Sequence, residues 1–368
     1  MNTPFWCTKC FNMSTRPRIE FDEKDVCNAC QWAEEKKTLD WTSRKKELNA
    51  LLDKYRRGNG EYDVLCPVSG GKDGSYVAYQ LKHVYGMTPL CVTIRPPLEL
   101  GIGHDNLNGF VQSGYDHTHI TLDMETMREI NRIGLIEQGR PLFGWTTAIL
   151  SAVIRTAALH GIAPIFYGED GEVEYGGSTE TKFTAAFDVD YIKKVYLSGA
   201  YEATFSRFPR NRILQWTFPD DADLKRIGVF KTHWSYFEPW DSYRNYLVAK
   251  QHCGLKEHEE SNSGTFTNFA QNDTSMYALH TYFMYLKFGF GRATQDANID
   301  IRRGALTREQ AKPLVQVYDN QLPEQNIDGY LSYFKMTREE FDQALDRHVN
   351  RDLFEKRDGR WEPKFQPE

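Results

Sequence analysis

The sequence predicts an α/β protein. It reads as a Rossmann-like parallel sheet with helices on both faces, an N-terminal four-cysteine module and a mostly helical C-terminal region. Three observations predict it. Short apolar segments alternate with helix-periodic ones between residues 62 and 168. Four cysteines crowd the first thirty residues. From about residue 178 the alternation stops, and aromatic and charged residues mix without it.

Size and charge narrow the class. A chain of 368 residues suggests two or three domains. Hydrophobic residues make up 40% and charged residues 26%, enough for a packed core. Lys and Arg number 45 against 51 Asp and Glu, a net charge of −6. That balance argues against holding nucleic acid through bulk charge. No apolar run is long enough to cross a membrane. MNTPFWCTKC lacks a basic-then-apolar leader, so a cytoplasmic protein is expected. Aromatics at 14% suit a flat or sugar-like ligand, or a core.

Cys7, Cys10, Cys27 and Cys30 follow the spacing C-x2-C-x16-C-x2-C. Each pair forms a knuckle that offers two thiolates, and two knuckles complete a tetrahedral site suited to zinc. So short a segment buries too little apolar surface to fold alone, and a metal supplies the missing energy. A structural zinc ribbon over 1–31 is therefore expected. Two disulfides and a [4Fe–4S] cluster are the alternatives. Cys66, Cys91 and Cys253 read as small buried hydrophobes.

Residues 32–60 read as a helical connector, rich in Glu, Lys, Arg and Leu and closed by Gly58-Asn59-Gly60. Strands are expected at 62–68, 88–94, 117–122 and 162–168, each a short apolar run. Helices are expected between them, at 76–86, 104–114, 127–135 and 145–161, the last strongly apolar. These elements form a unit spanning 61–177, with a ligand site at the carboxyl ends of its strands. Residues 178–368 read as a mostly helical region that completes the site. Within it 275–291 is a helix, and Thr307 and Thr337 are N-caps of two more.

Ser69-Gly70-Gly71-Lys72-Asp73-Gly74-Ser75 follows the first strand and opens a helix. Small residues let backbone N–H groups converge on an anion, and the helix N-terminus adds its dipole. Ser69 and Ser75 offer hydroxyls, and Lys72 adds charge. Asp73 among phosphate donors calls for a bridging Mg²⁺. The loop is not a Walker A motif, because G-x-x-x-x-G-K-[ST] is absent.

SGGKDGS resembles the PP-loop of the ATP pyrophosphatases (adenine-nucleotide alpha hydrolase type), whose usual form is SGGxDS. Gly74 stands as an extra residue before Ser75. The four-cysteine ribbon, this loop, GEDGEVEYGG (168–177) and KFGFGRATQDANIDIRRGALTREQA (287–311) together resemble the N-acetyl sugar amidotransferase family, over most of the chain. The resemblance implies an enzyme of lipopolysaccharide O-antigen or nonulosonic-acid biosynthesis. Such an enzyme adenylates the acetamido oxygen of a nucleotide-linked N-acetyl sugar, and ammonia then displaces AMP. It implies ATP and Mg²⁺ at the loop 69–75, with Lys72 and Asp73 catalytic. Adenine is expected near Thr93 and Ile94, with Arg95 facing phosphate or forming part of a turn. It further implies a separate glutaminase subunit and a cyclase-like subunit that passes ammonia, since no glutaminase signature surrounds any cysteine here.

Glu169, Asp170, Glu172 and Glu174 follow the fourth strand, where carboxylates would bind Mg²⁺, contact sugar or accept a proton. Glu169 and Asp170 are the preferred pair; a solvated acidic loop is the bland reading. Arg292 suits a diphosphate or sugar carboxylate through its planar fork, and Gln295, Asp296, Asp300, Arg302 and Arg303 accompany it. A salt-bridged helix face is the alternative there. Lys182 is a weaker phosphate candidate. His117 and His119 share one side of a strand but lack a third metal ligand. Gly101-Ile102-Gly103 lacks the third glycine of a dinucleotide fingerprint. Trp234, Tyr236, Phe237 and Trp240 read as core or as stacking surface.

Two other classes compete. A PP-loop tRNA-modifying enzyme would need basic surface and, for thiolation, further catalytic cysteines. A zinc-ribbon adaptor would leave SGGKDGS without a purpose. The ribbon is also expected to dock a partner, as a rigid exposed module.

Overall fold

Each strand is a short apolar run stopped by Gly, Pro or a charged turn, so the sheet is built from brief, fully buried segments. A computed structural model describes residues 3–168, 172–197 and 199–367. Helices α1 (Asn28–Lys36) and α2 (Trp41–Tyr55) lead from the ribbon. Then β1 (Val64–Pro67), α3 (Lys72–Tyr79), β2 (Pro89–Ile94), α4 (Gly101–Gln112), β3 (His117–Ile120), α5 (Met124–Ile133), α6 (Phe143–Leu159) and β4 (Pro164–Tyr167) alternate. The chain continues through β5 (Ala186–Phe187), α7 (Val189–Tyr191), α8 (Ala200–Phe205), α9 (Asp221–Ile227) and β6 (Phe230–His233). Five long helices follow: α10 (Ser242–His252), α11 (Met276–Phe288), α12 (Arg292–Arg302), α13 (Arg308–Tyr318) and, after α14 (Ile327–Phe334), α15 (Arg338–His348). A hairpin of β7 (Phe354–Arg357) and β8 (Arg360–Pro363) closes the described chain.

The six strands run in the order β3-β2-β1-β4-β6-β5. All are parallel except β5, which is antiparallel to β6. Strand order reverses between β1 and β4, which opens a crevice at their carboxyl ends. Leu65 pairs with Ile165 at that junction.

The region after residue 178 is mostly helical, as expected, and it also supplies strand β6 to the sheet. Lys231, Thr232 and His233 are buried within the sheet, so this strand carries no apolar signature. The Lys231 ammonium lies over the rings of Tyr167 and Tyr196, at 4.0 and 4.5 Å. The sheet unit thus takes a strand from beyond its expected limit at 177.

One face of the sheet is covered by α2, α3 and α4 through Leu48, Leu52, Val77, Leu81 and Phe110. The other is covered by α6, which is apolar all round because it lies between the sheet and the C-terminal helices. Two indole N–H groups pin it there: Trp145 donates to Ile94 O at 3.1 Å and Trp216 to Gly144 O at 2.8 Å. Thr307 and Thr337 do cap α13 and α15, each with a reciprocal capping box.

Loop 256–275 packs backbone to backbone on α4. A Cβ at Gly103 would lie 2.5 Å from Asn272 O and 2.5 Å from Asp273 Cα. Gly103→Ala is therefore expected to cost about 1–3 kcal/mol through forced separation of the two segments. Urea unfolding checks this, with the slope of the transition unchanged.

Candidate functional site

A cavity of 430 Å³ lies at the carboxyl ends of β1, β2 and β4. Its floor is the loop after β1: Ser69, Gly71, Lys72, Asp73 and Gly74 all line it. Gly70 holds φ at +78°, and a Cβ there would meet Leu107 N at 2.4 Å. Only glycine lets the loop turn while α4 packs behind it. Gly168, just beyond β4, abuts the same loop, since its Cβ would stand 2.5 Å from the Asp73 carbonyl carbon. The first N–H groups of α3 have no partner within the helix and supply an anion cradle here.

Lys72 and Asp73 form an ion pair at this helix start. The other Asp73 oxygen accepts from Asn245 Nδ2 on α10 at 2.9 Å, and Asn245 is fully buried. Asp73 is thus a fixed carboxylate at a phosphate cradle. That donor set fits Mg²⁺, which binds through one or two carboxylates plus phosphate oxygens and waters.

Ser75 departs from its expected role. In SGGxDS the serine would fall at position 74, and here Gly74 lines the cavity in its place. A Cβ at Gly74 would lie 2.8 Å from Pro67 O. One residue further on is about 100° around the helix. Ser75 therefore turns into the core, fully buried, with no hydrogen-bond partner for Oγ among the described residues.

Thr93 lines the cavity. Its hydroxyl donates to Val68 O at 2.5 Å and accepts from His117 Nε2 at 2.8 Å. Burial lowers the His117 pKa to about 4, so the ring is neutral and holds the Nε2–H form. His117 is a support for Thr93 rather than a metal ligand. Arg95 is exposed, pairs with Glu99 at 3.5 Å and does not line the cavity. The buried Pro96-Pro97 step that follows makes it a turn residue.

Glu169 and Asp170 lie outside the described residues. Glu172 lines the cavity, with its carboxylate held by Arg18 at 2.7 Å. Glu174 turns the other way, to Trp32 Nε1 at 2.8 Å and to Lys36. Arg292, at the head of α12, lines the cavity and contacts Asp296 at 2.8 Å. Gln295, Asp300, Arg302 and Arg303 do not line it; Arg303 pairs with Asp300 at 2.7 Å. Lys182 pairs with Glu35 at 2.7 Å, away from the phosphate cradle. Trp234 and Phe237 are core residues.

Several cavity residues carried no sequence signal: Trp145, Tyr167, Tyr196, Gln271 and Tyr277. The aromatic content hinted at such a lining without naming positions. Asn245 was equally silent, inside an ordinary helix.

The four cysteines of the ribbon are buried and unbridged, with sulfur atoms all within 4.8 Å of one another. Cys7 and Cys30 sulfurs are 3.8 Å apart, and those of Cys10 and Cys27 are 3.7 Å apart. A tetrahedron with metal–sulfur bonds of about 2.3 Å has edges of about 3.8 Å, so a single tetrahedral ion fits. N–H groups point at the sulfurs, from Cys27 N to Cys7 at 3.2 Å and from Asn12 Nδ2 to Cys27 at 3.4 Å. Such donors favour thiolates.

The ribbon holds the acidic loop after β4. Asn28 Nδ2 donates to Gly177 O at 2.9 Å and Asn12 Nδ2 to Tyr175 O at 3.4 Å. Asn298 on α12 ties in the same knuckle, accepting from Phe11 N at 2.6 Å and donating to Asn12 Oδ1 at 3.0 Å. Arg302 donates to Glu174 O at 2.7 Å. The inner face of the ribbon therefore braces its own chain.

Cys66, Cys91 and Cys253 are buried, and none lines the cavity. Burial pushes all three thiols up, Cys253 to about 11. Among the described residues no helix is long and apolar enough to cross a membrane.

The Ser75 placement has a direct test. Ser75→Ala is expected to leave the ATP KM within about twofold and stability within ~1 kcal/mol, since no hydrogen bond is lost. Gly74→Ser is expected to weaken ATP binding by about tenfold or more, equal to ~1.4 kcal/mol. Nucleotide titration and thermal unfolding of both variants check this.

Comparison with known proteins adds three findings. Residues 263–366 match the family described as LPS biosynthesis protein WbpG-like, C-terminal domain. A stretch of 89 residues is 29% identical to an uncharacterized protein, MJ1599, of Methanocaldococcus jannaschii; it covers 24% of this chain and 32% of that protein. The chain thus spans about a third of the length of the curated relative it matches. Among solved structures, the U34-tRNA thiolase NcsA from Methanococcus maripaludis with its [4Fe-4S] cluster is similar at 14% identity and a TM-score of 0.33, over 88% of this chain and 91% of that one.

Proposed function

We propose that this chain is an ATP-dependent amidotransferase that converts the acetamido group of a nucleotide-linked N-acetyl sugar into an acetamidino group. The observation that carries this reading is the SGGKDGS loop, set as an anion cradle beside a fixed carboxylate at the strand switch point. The match of residues 263–366 to a lipopolysaccharide biosynthesis domain supports a sugar as the acceptor.

In this reading the loop N–H groups and Lys72 hold the β- and γ-phosphates. Asp73, kept in place by Asn245, holds Mg²⁺, which would neutralise charge on the leaving pyrophosphate. The acetamido oxygen attacks the α-phosphorus and pyrophosphate departs. Ammonia then adds to the imidate carbon, and the original oxygen leaves on AMP. An amide carbonyl is a poor electrophile, and this exchange of leaving groups is what ATP supplies. Most of the catalysis is positioning and charge neutralisation. Glu172 is read as the carboxylate that takes a proton from ammonium, and Arg292 as a planar fork for a diphosphate or sugar carboxylate. Glu169 and Asp170 stay candidates for the same duties. Ammonia comes from a separate glutaminase through a cyclase-like subunit, and no nucleic acid takes part.

The ribbon ion is read as zinc, because four thiolates at this spacing suit it and nothing in the site asks for electron transfer. Metal analysis of the purified protein is expected to find one zinc per chain and no visible chromophore. A brown iron-containing protein would overturn this assignment.

Pyrophosphate release from Mg-ATP and ammonium chloride, with a panel of UDP-N-acetyl sugars and their uronic acids, tests the activity. Release is expected to depend on one sugar and to fall by about 10²–10³-fold in Asp73→Ala. The product is expected to carry NH in place of O by mass spectrometry. Release with bulk tRNA and with no sugar would sink the sugar reading in favour of RNA modification.

A further inference from the structure

Beside the nucleotide cavity lies a second one, of 490 Å³. It sits between loop 256–275, the start of α11 and the turn before α14, with Leu100 at the head of α4. Gln271 and Tyr277 line both cavities, so the two meet at that wall. The volume is in the range of small-molecule sites.

Its chemistry is selective. The polar side chains are amides, hydroxyls, carboxylates and the His258 imidazole, with Asn262, Ser263, Gln325 and Asn326 among the amides and hydroxyls. No Lys or Arg lines it. Glu259 and Glu260 are exposed at its edge and form no ion pair among the described residues. An anion would meet repulsion from two carboxylates here with no Lys or Arg to offset it. A neutral molecule bearing hydroxyls and an amide would find donors and acceptors together, and one aromatic face in Tyr277. Tyr277 is itself fixed edge-on against Trp145, at 5.8 Å between ring centres.

The wall is built rather than incidental. Asn262 Nδ2 donates to Asn272 Oδ1 at 2.9 Å and also reaches Ala270 O, on either side of Gln271. Gln271 is thereby held at φ +58°, a conformation that a non-glycine residue rarely keeps without a reason. Gln325 Nε2 closes the far side through Ser263 Oγ at 2.8 Å. Most of this cavity comes from the segment that matches the lipopolysaccharide biosynthesis domain.

We propose that the second cavity is the acceptor site, and that it takes the uncharged acetamido-sugar ring alone, leaving any diphosphate carrier outside. The acetamido group then points through the Gln271–Tyr277 wall toward the bound nucleotide. This rests on the amidotransferase reading for the identity of the acceptor.

The test uses the full chain and two variants at cavity-lining positions that leave the nucleotide site intact. Ala278→Phe plugs the cavity, and Glu260→Gln removes one edge charge without changing shape. Saturation-transfer NMR with methyl N-acetyl-β-D-glucosaminide is expected to show binding to the wild type that UDP alone does not displace. The signal is expected to vanish in Ala278→Phe, whose thermal midpoint confirms folding, and ATP affinity to stay within about twofold. Glu260→Gln is expected to keep glycoside binding and to strengthen inhibition by UDP. Glycoside binding that survives the plug, or that UDP displaces from the wild type, overturns the site assignment. That result would leave sugar-dependent pyrophosphate release in the wild type untouched. No sugar-dependent release, with plug-sensitive glycoside binding retained, would overturn the reaction and keep the site.

Discussion

Four sulfur atoms hold one wall of the nucleotide cavity in place. Four thiolates packed this closely, with two pairs at 3.7 and 3.8 Å, would need a cation to take their charge. With a divalent ion the centre keeps a net charge of about −2. Arg302 answers that charge, and its pKa rises, despite burial, in the field of Cys10, Glu174, Cys30 and Cys27. Arg16 lies between this centre and the cavity, over the Phe290 ring at 4.8 Å, facing Glu172 and Tyr175. Burial lowers its pKa to about 10, which leaves it charged at neutral pH. The four-cysteine cluster and the cavity carboxylate Glu172 both act on the buried Arg16 guanidinium. The ribbon is a distant structural module in sequence and a neighbour of the chemistry in space.

The opposite wall depends on close backbone packing instead of charge. Gly70, Gly74, Gly103 and Gly168 each bring one segment against another at a distance that excludes a side chain. All four lie around the β1–β4 switch point, where the sheet leaves a crevice and α4 and loop 256–275 close it. Such contacts fix geometry without electrostatic cost, which would suit the highly charged nucleotide proposed for this site.

Much of this was legible in the sequence because it is local. The cysteine spacing and the SGGKDGS loop dictate backbone geometry within a few residues, so they name their positions. The four central strands were equally plain, being apolar runs with clear stops. The rest depends on contacts far apart in the chain. Strand β6 is polar in sequence and buried in the sheet, so periodicity cannot find it. Ser75 was misplaced because one inserted glycine rotates it off the cavity face, a consequence visible only once the helix start is known. Arg95 sits next to a cavity strand yet points to solvent, because the two prolines after it turn the chain. Asn245, Gln271 and Tyr277 reach the site from elements with no motif at all.

The C-terminal region explains its own odd composition in this light. It is aromatic-rich and loop-rich where a simple helical bundle would be neither. Its helices supply the buried half of the aromatics, as in Tyr282, Phe283 and Tyr330, and its loops supply walls. Loops carry specificity best when rigid elements pin their ends. Here the ribbon and α12 pin the loop after β4, and α4 and α11 pin loop 256–275. The two pinned loops reach the same cavity, the first bringing Glu172 and Tyr175 and the second Gln271, Asn272 and Asp273. In the proposed reaction, a nucleotide on the first cradle and an acceptor in the second cavity would meet at Gln271 and Tyr277, the two residues that line both, so rigid pinning of loop 256–275 would set the geometry of their approach.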